Sequence, residues 1–257
     1  MGDYEAADAH LLEALRLGRA ALGESHPVIG GMLVNLAVSH HIRGELDRAG
    51  ALYDEAIPLM REAYGAEHPE VAAVTGNLAE LRAMQGDLER ARELHARTLA
   101  ILEKTQGPDS VQASASRANL AGVHYRLGEL EASRAGYQQA LDSVTATLGE
   151  DAPKAAYAHL GLARIARDQG RTAQAVTHAR RAVEVRSSEA VPVEQRGLAH
   201  FELALSLEGH GDLDGARAEA ERAQQAYREA GGVASDDAAQ VDEWLAAHAG
   251  TSVSAAP

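Results

Sequence analysis

Residues 77–91 read Asn-Leu-Ala-Glu-Leu-Arg-Ala-Met-Gln-Gly-Asp-Leu-Glu-Arg-Ala, and the pattern of this stretch recurs along the chain. Residues 35–49 and 119–133 repeat the Asn-Leu-Ala, the glycine eight residues after the leucine, and a small residue five residues after the glycine. The glycines are 42 residues apart four times and 41 apart once, at Gly2, Gly44, Gly86, Gly128, Gly170 and Gly211. A period of this size predicts a stacked repeat array, in which each unit covers the apolar faces of its neighbours.

Each repeat is predicted to contain two helices, which we name helix A and helix B in chain order. The recurring glycine ends helix A, because glycine adopts a left-handed cap without a Cβ penalty. A second set of glycines ends helix B, at Gly23, Gly65, Gly107 and Gly149. Pro27 and Pro69 then stand at a first helical position, and Asp109 and Asp151 are N-cap candidates. Pro58 lies inside a helix B and is expected to kink or interrupt it.

Small residues recur at two fixed places in helix B and predict close packing of the helices. Five residues after the glycine stand Ala7, Ala49, Ala91, Ser133, Ala175 and Ala216. Seven residues further on stand Ala14, Ala56, Thr98, Ala140, Ala182 and Ala223. Alanine and leucine dominate the chain, and no alternation typical of strands persists. The predicted fold class is therefore all-α.

These residues resemble the tetratricopeptide repeat family. The 42-residue period, the Asn-Leu-Ala and the Gly-x-x-His-Pro linker at 23–27 and 65–69 are similar to the kinesin light chain type of repeat, which is also known in many bacterial signalling proteins. The resemblance implies a right-handed α-solenoid of tandem helix-turn-helix repeats. Such arrays bind many unrelated proteins, so the resemblance is more specific for the fold than for a function.

We predict one array over residues 1–249. It consists of a lone helix B at 4–22, repeats at about 27–64, 69–105, 109–148, 151–186 and 192–230, and a capping helix at about 236–248. Residues 250–257 are small and polar, and are predicted to be a disordered tail. The first helix has no helix A before it, which leaves Leu11, Leu12 and Leu15 without their usual neighbour. We therefore expect either a fragment of a longer polypeptide, or a natural start whose first helix packs on the next unit.

Composition limits the classes of partner. The chain has 24 basic and 38 acidic side chains and a formal net charge of -14, which argues against binding to nucleic acid or to an anionic membrane. It has no cysteine, so disulfides and thiolate metal sites are excluded. No signal peptide and no run of 18 apolar residues is present. We expect a cytoplasmic protein that binds a protein or peptide.

The resemblance implies that helix A lines a concave groove, and that residues one before, two after and five after its leucine face this groove. The first of these positions holds Asn35, Asn77 and Asn119 in three consecutive repeats. Asparagine inside a helix costs roughly 0.5 kcal/mol relative to alanine. Three such residues on one face therefore indicate a contact that offsets this cost. In the family, equivalent amides hold the backbone of an extended peptide. The alternative is a hydrogen bond to a neighbouring helix.

Other candidate groove residues are Tyr125 in the third repeat and a basic patch, Arg164 and Arg167, which Arg126 is expected to face. Paired guanidinium groups favour carboxylate or phosphate, so an acidic peptide segment is a natural ligand. The alternative is pairing with Glu202 or Asp168. Trp244 occupies the asparagine position of the last helix, where it is expected to anchor an interface or to cap the core.

We predict no metal site, no cofactor and no catalytic residues. The twelve histidines lack metal-ligand spacing, and no phosphate-binding loop, nucleophile elbow or kinase motif occurs. The leading hypothesis is a non-catalytic scaffold that binds a peptide in the groove. One alternative is the regulatory region of a larger signalling enzyme, such as a bacterial Ser/Thr kinase or a signalling ATPase. A further alternative is self-assembly into a homo-oligomer through the exposed N-terminal helix.

Overall fold

The computed structural model describes residues 4–231 and 236–249, with side chains from residue 8 onward. The described residues form twelve α-helices and no strand. In chain order they are α1 (Tyr4–Leu22), α2 (Pro27–Ile42), α3 (Leu46–Tyr64), α4 (Pro69–Met84), α5 (Leu88–Gln106), α6 (Val111–Arg126), α7 (Leu130–Leu148), α8 (Ala155–Asp168), α9 (Thr172–Val185), α10 (Val193–His210), α11 (Leu213–Glu229) and α12 (Asp236–Ala247). The predicted all-α fold of consecutive helix pairs is confirmed. The predicted tail, 250–257, lies outside the described residues.

The chain divides into two compact units, Met1–Glu129 and Leu130–Pro257. In the first unit each helix from α1 to α6 packs on the next, and in the second unit α7 to α12 do the same. The limits of the single predicted array stay a prediction.

The predicted small residues of helix B lie in the core from the second helix B onward, whereas Ala14 is half-buried and the side chain of Ala7 lies outside the described residues. Ala49, Ala91, Ser133, Ala175 and Ala216 are completely buried, and the second set is 0–4% exposed from Ala56 to Ala223. Side chains of this size allow two helix backbones to approach closely, so the leucines of helix A can fill the space between repeats. Leu36, Leu78, Leu162 and Leu203 are accordingly buried.

The helix ends follow the predicted glycines, with two corrections at the starts. Gly44, Gly86, Gly128, Gly170 and Gly211 all have positive φ, between +69° and +91°. Pro27 and Pro69 occupy first-turn positions of α2 and α4. The prediction of Asp109 as an N-cap is wrong, because the Ser110 hydroxyl accepts from the Ala113 amide instead. Asp151 is not a cap either, because α8 begins only at Ala155 and Asp151 pairs with Arg181 at 2.8 Å.

Pro58 does not interrupt its helix, since α3 runs unbroken from Leu46 to Tyr64. A proline inside a helix removes the hydrogen bond to the carbonyl four residues earlier, here that of Asp54. Both Pro58 and Asp54 are exposed, so water can solvate this carbonyl and the cost of the missing bond is reduced.

The first helix is partly covered by the second. Leu15 is buried against Ile29 and Leu33 of α2, and Leu11 packs on the same cluster. Leu12, however, is 52% exposed. Leu11 and Leu15 thus pack on the next helix, as one of the two expectations for this face states.

Candidate functional site

The asparagines of helix A point away from the core. Asn35 on α2 and Asn119 on α6 are exposed, and Asn77 on α4 is half-buried. The side chains of Asn35 and Asn119 make no hydrogen bond with any residue that the structure describes, so the alternative of a bond to a neighbouring helix is not found for them. Their amides remain able to donate and accept.

A pocket of about 430 Å³ opens between α2, α3 and α4. Its lining consists of Val38, His41, Ile42, Tyr53, Asn77, Glu80 and Met84. Ile42 and Met84 form its apolar rim and are 65% and 53% exposed. The His41 Nε2 lies 3.1 Å from the Met84 sulfur and joins the two sides of the pocket. Asn77 and Glu80 provide its polar wall.

Tyr53 lies at the base of this pocket and is completely buried. Its hydroxyl is next to the Asn77 side chain but has no hydrogen-bond partner among the described residues. Burial raises the pKa of Tyr53 to about 12, an effect that Asn77 opposes and the Glu80 carboxylate reinforces. The phenol is therefore protonated at neutral pH and carries an unused donor. Sequence reasoning missed this residue, although its equivalents, His95 and Tyr137, recur at the same spacing.

Gly161 stands at the position of the asparagine series in the fourth repeat and allows a close contact. The ring of Tyr137 lies against Gly161, and a Cβ on this residue would stand 2.3 Å from the ring carbons. Only glycine fits at this contact. Tyr137 also packs edge-to-face on Tyr157, with the ring centroids 6.0 Å apart.

The predicted basic patch on α8 is built around one buried carboxylate. Glu202 of α10 is 3% exposed, and it accepts from Arg164 Nε at 2.7 Å and from Arg167 Nη1. This is one of the two pairings considered from the sequence. The side chains of Arg164 and Arg167 keep 39% and 26% of their surface exposed. One carboxylate thus faces two guanidinium groups, so one positive charge at this site is not compensated by Glu202.

Arg186, at the end of α9, adds to this charge and was not found from the sequence. Its side chain is buried and Nη1 donates to the Gln195 carbonyl at 2.9 Å, but it forms no ion pair with a described residue. Burial, and then the charge of Arg164, lowers the pKa of Arg186 from its usual value. The repeat register is the signal that could have revealed it, because Met60, Leu102 and Val144 occupy the same position.

The remaining candidates are Tyr125, Arg126 and Trp244. Tyr125 is half-buried and Arg126 is exposed, both in the last turn of α6. The approach of Arg126 to Arg164 stays a prediction. Trp244 donates to Glu208 at 2.8 Å, stacks on His248 at 4.0 Å and packs on the core of α10. Trp244 therefore caps the core, which is one of the two roles expected from the sequence.

Two further structural findings concern metals and membranes. Over residues 4–231 and 236–249, no three His, Asp or Glu side chains are grouped as metal ligands would be. Within the same ranges, no helix combines the length and the apolar character needed to cross a bilayer.

Known protein families and structures match the chain over most of its length. One tetratricopeptide repeat model matches residues 28–104 and 111–188, and a second matches residues 1–28. No curated protein sequence matches. BtubC (BKLC) from P. vanneervenii has a similar crystal structure, with a TM-score of 0.70 and 20% identity over 92% of this chain and 95% of that chain. The tetratricopeptide-like repeats of a putative kinesin light chain from Podospora anserina give a TM-score of 0.62 and 22% identity over 82% and 99% of the two chains. These likenesses concern the fold.

Proposed function

Because the chain belongs to the tetratricopeptide repeat family, whose members generally mediate protein–protein interactions, we propose that it is a non-catalytic scaffold for a peptide segment of a partner protein. The segment lies extended or partly helical along the groove-facing side of the A helices. Asn35, Asn77 and Asn119 hold its backbone, and Tyr125 and Arg126 continue this side of α6.

One observation carries the proposal. Asn35 and Asn119 sit inside helices, where asparagine is costly, and yet their amides bond to no described residue. A structural role would use the amide within the fold. A peptide backbone offers alternating carbonyl and N–H groups, and an amide side chain can satisfy one of each.

The basic patch of Arg164 and Arg167 extends the proposal to an acidic segment of the partner. Glu202 balances only one of the two charges, and both guanidinium groups remain partly exposed. A partner carboxylate can therefore approach without displacing Glu202. Paired guanidinium groups bind such a group through charge-assisted hydrogen bonds.

The experiment begins with a pull-down from the native host and mapping of the bound segment. Replacing Asn77 and Asn119 by Ala is then expected to weaken binding of that segment roughly tenfold or more, because each lost hydrogen bond contributes about 1 kcal/mol. Gln139→Ala is the matched control, since Gln139 is an exposed amide on the helix B α7. Unchanged affinity of the double Asn variant would contradict the proposal.

A regulatory region of a larger signalling enzyme is the alternative from another class. The same peptide-binding faces would then hold a segment of the enzyme itself or of its regulator. The complete reading frame discriminates between the two functions, because a regulatory region requires a catalytic domain in the same polypeptide. A cytoplasmic location stays a prediction in either case.

A further inference from the structure

The pocket between α2, α3 and α4 has an apolar rim that the fold does not require. Ile42 and Met84 stand two residues before the glycines that end α2 and α4. In the next two repeats the same position holds Arg126 and Asp168, which are also exposed. The position therefore faces solvent in each of these repeats, and a charged residue is compatible with it. Two large apolar side chains here expose surface that favours contact with another apolar group.

The pocket is an open depression in the surface, with room for one large side chain. Its volume of about 430 Å³ is within the range of roughly 300–1,000 Å³ that is usual for ligand pockets. Val38 extends the apolar lining inward from Ile42, and Asn77 stands at the inner wall, where its amide can bond to the backbone of an incoming segment.

The negative charge at the pocket favours basic residues next to the partner side chain that enters it. Glu80 is exposed on the wall and pairs with no described cation. The chain as a whole has a net charge of -14, so the surrounding field also attracts cations. A carboxylate beside Glu80 would be repelled, whereas a lysine or arginine would be attracted.

We propose that this pocket receives one large aliphatic or aromatic side chain of a partner protein, flanked by a basic residue that pairs with Glu80. This inference rests on the proposed function and deepens it, because it names the chemistry that one part of the peptide must have. It differs from the acidic preference proposed at Arg164 and Arg167, which lie in the other unit.

Met84 provides a built-in probe, because the sequence has only four methionines and the structure describes three of them. The full chain is labelled with ¹³C at the methionine methyl groups and titrated with acetyl-Ser-Gly-Lys-Leu-Lys-Gly-Ser-amide. The Met84 methyl signal is expected to shift, while Met60 in the core and Met32 on the far side of α2 serve as internal references. A peptide with serine in place of leucine should bind roughly tenfold more weakly. A peptide with glutamate in place of both lysines should bind about threefold to fivefold more weakly.

Two variants test the roles proposed for Ile42 and Glu80. Ile42→Arg copies the residue of the third repeat, so it keeps the fold while it should remove the preference for leucine over serine. Glu80→Gln should keep that preference and weaken the preference for lysine over glutamate, because only the general field of the chain then remains. Equal binding of the three peptides, or preferences unchanged in both variants, would overturn the proposal.

The side-chain amide signals of the three groove asparagines distinguish failure of the pocket proposal from failure of the proposed function. These residues are Asn35, Asn77 and Asn119. If the peptides perturb these amides without selecting leucine or lysine, only the pocket assignment is wrong. If a mapped natural segment perturbs none of them, the proposed function fails as well.

Discussion

At the scale of one residue, Gly161 allows the Tyr137 ring to approach its helix closely. The Tyr137 ring occupies the space that a side chain would need, so alanine at this position must displace the ring or the helix. We predict that Gly161→Ala lowers the free energy of unfolding by about 1–3 kcal/mol, as overpacking in a core usually does. Urea denaturation measures this change.

Gly31→Ala is the matched control for that substitution. Gly31 also lies inside a helix, but nothing stands within 4 Å of the place where its Cβ would be. Alanine has the higher helix propensity, so this variant should gain up to about 1 kcal/mol. Destabilisation by both variants to the same extent would refute the steric explanation at Gly161.

The buried histidines should make stability depend on pH. His95 is 3% exposed, and burial lowers its pKa to about 4; burial also lowers the pKa of His159 to about 4, helped by the charge of the adjacent His178. Between pH 6.5 and 4 the unfolded chain binds a proton that the folded chain does not, so stability is full above pH 6.5 and falls as pH falls. Each histidine contributes about 3 kcal/mol to this loss.

His95→Tyr tests the contribution of one histidine. Tyrosine stands at the same position in the repeats before and after it, at Tyr53 and Tyr137, and does not titrate in this pH range. The difference in unfolding free energy between pH 7 and pH 4.5 should be smaller for the variant than for the wild type. The carboxylates titrate in both proteins and cancel in this comparison. An identical pH dependence would exclude His95 as a source.

At the scale of the helix, the start of α4 depends on a histidine cap. The Nδ1 of His68 accepts from the Glu70 amide at 3.2 Å, and the ring stacks on Tyr64. His68→Ala should cost about 1 kcal/mol, whereas His68→Ser should keep most of the stability, because serine already caps α6 at Ser110. Thermal unfolding of the two variants provides the measurement. Equal melting temperatures would show that the cap contributes nothing.

The helix ends also show what the sequence could predict and what it could not. Few other residues fit a position with positive φ or a tight contact between helices. The helix end predicted at Gly86 and the buried position predicted at Ala91 are therefore correct. A cap is a local competition between neighbouring polar residues, and for this reason Ser110 replaced Asp109. Contacts between repeats, such as those of Tyr53 with Asn77 and of Arg164 with Glu202, depend on side-chain geometry. For Arg164, Glu202 and Asp168 were both candidate partners without a means of choosing between them, and the contact of Tyr53 was not predicted at all.

At the scale of the whole molecule, the first helix presents an unusual apolar residue. Leu12 is 52% exposed and lines a surface pocket of about 440 Å³ with Leu15, Arg16 and Ala20. The corresponding position in the later repeats holds Asp54, Ala96, Gln138, Arg180 and Glu221, all exposed. Leu12 is the one large apolar residue in this series, so the position does not need a leucine for folding.

We predict that the chain self-associates through this face of α1. Burial of Leu12 against a second copy favours association, while the net charge of -14 on each copy opposes it and is screened by salt. Sedimentation equilibrium should therefore give an average mass that rises with protein concentration, and more steeply at high ionic strength. Leu12→Gln, which copies Gln138 and suits a helix, should keep the helical content and remain at the mass of one chain. A wild-type protein that stays monomeric over a wide concentration range at high salt would contradict the prediction, because screening removes the only long-range force that opposes contact.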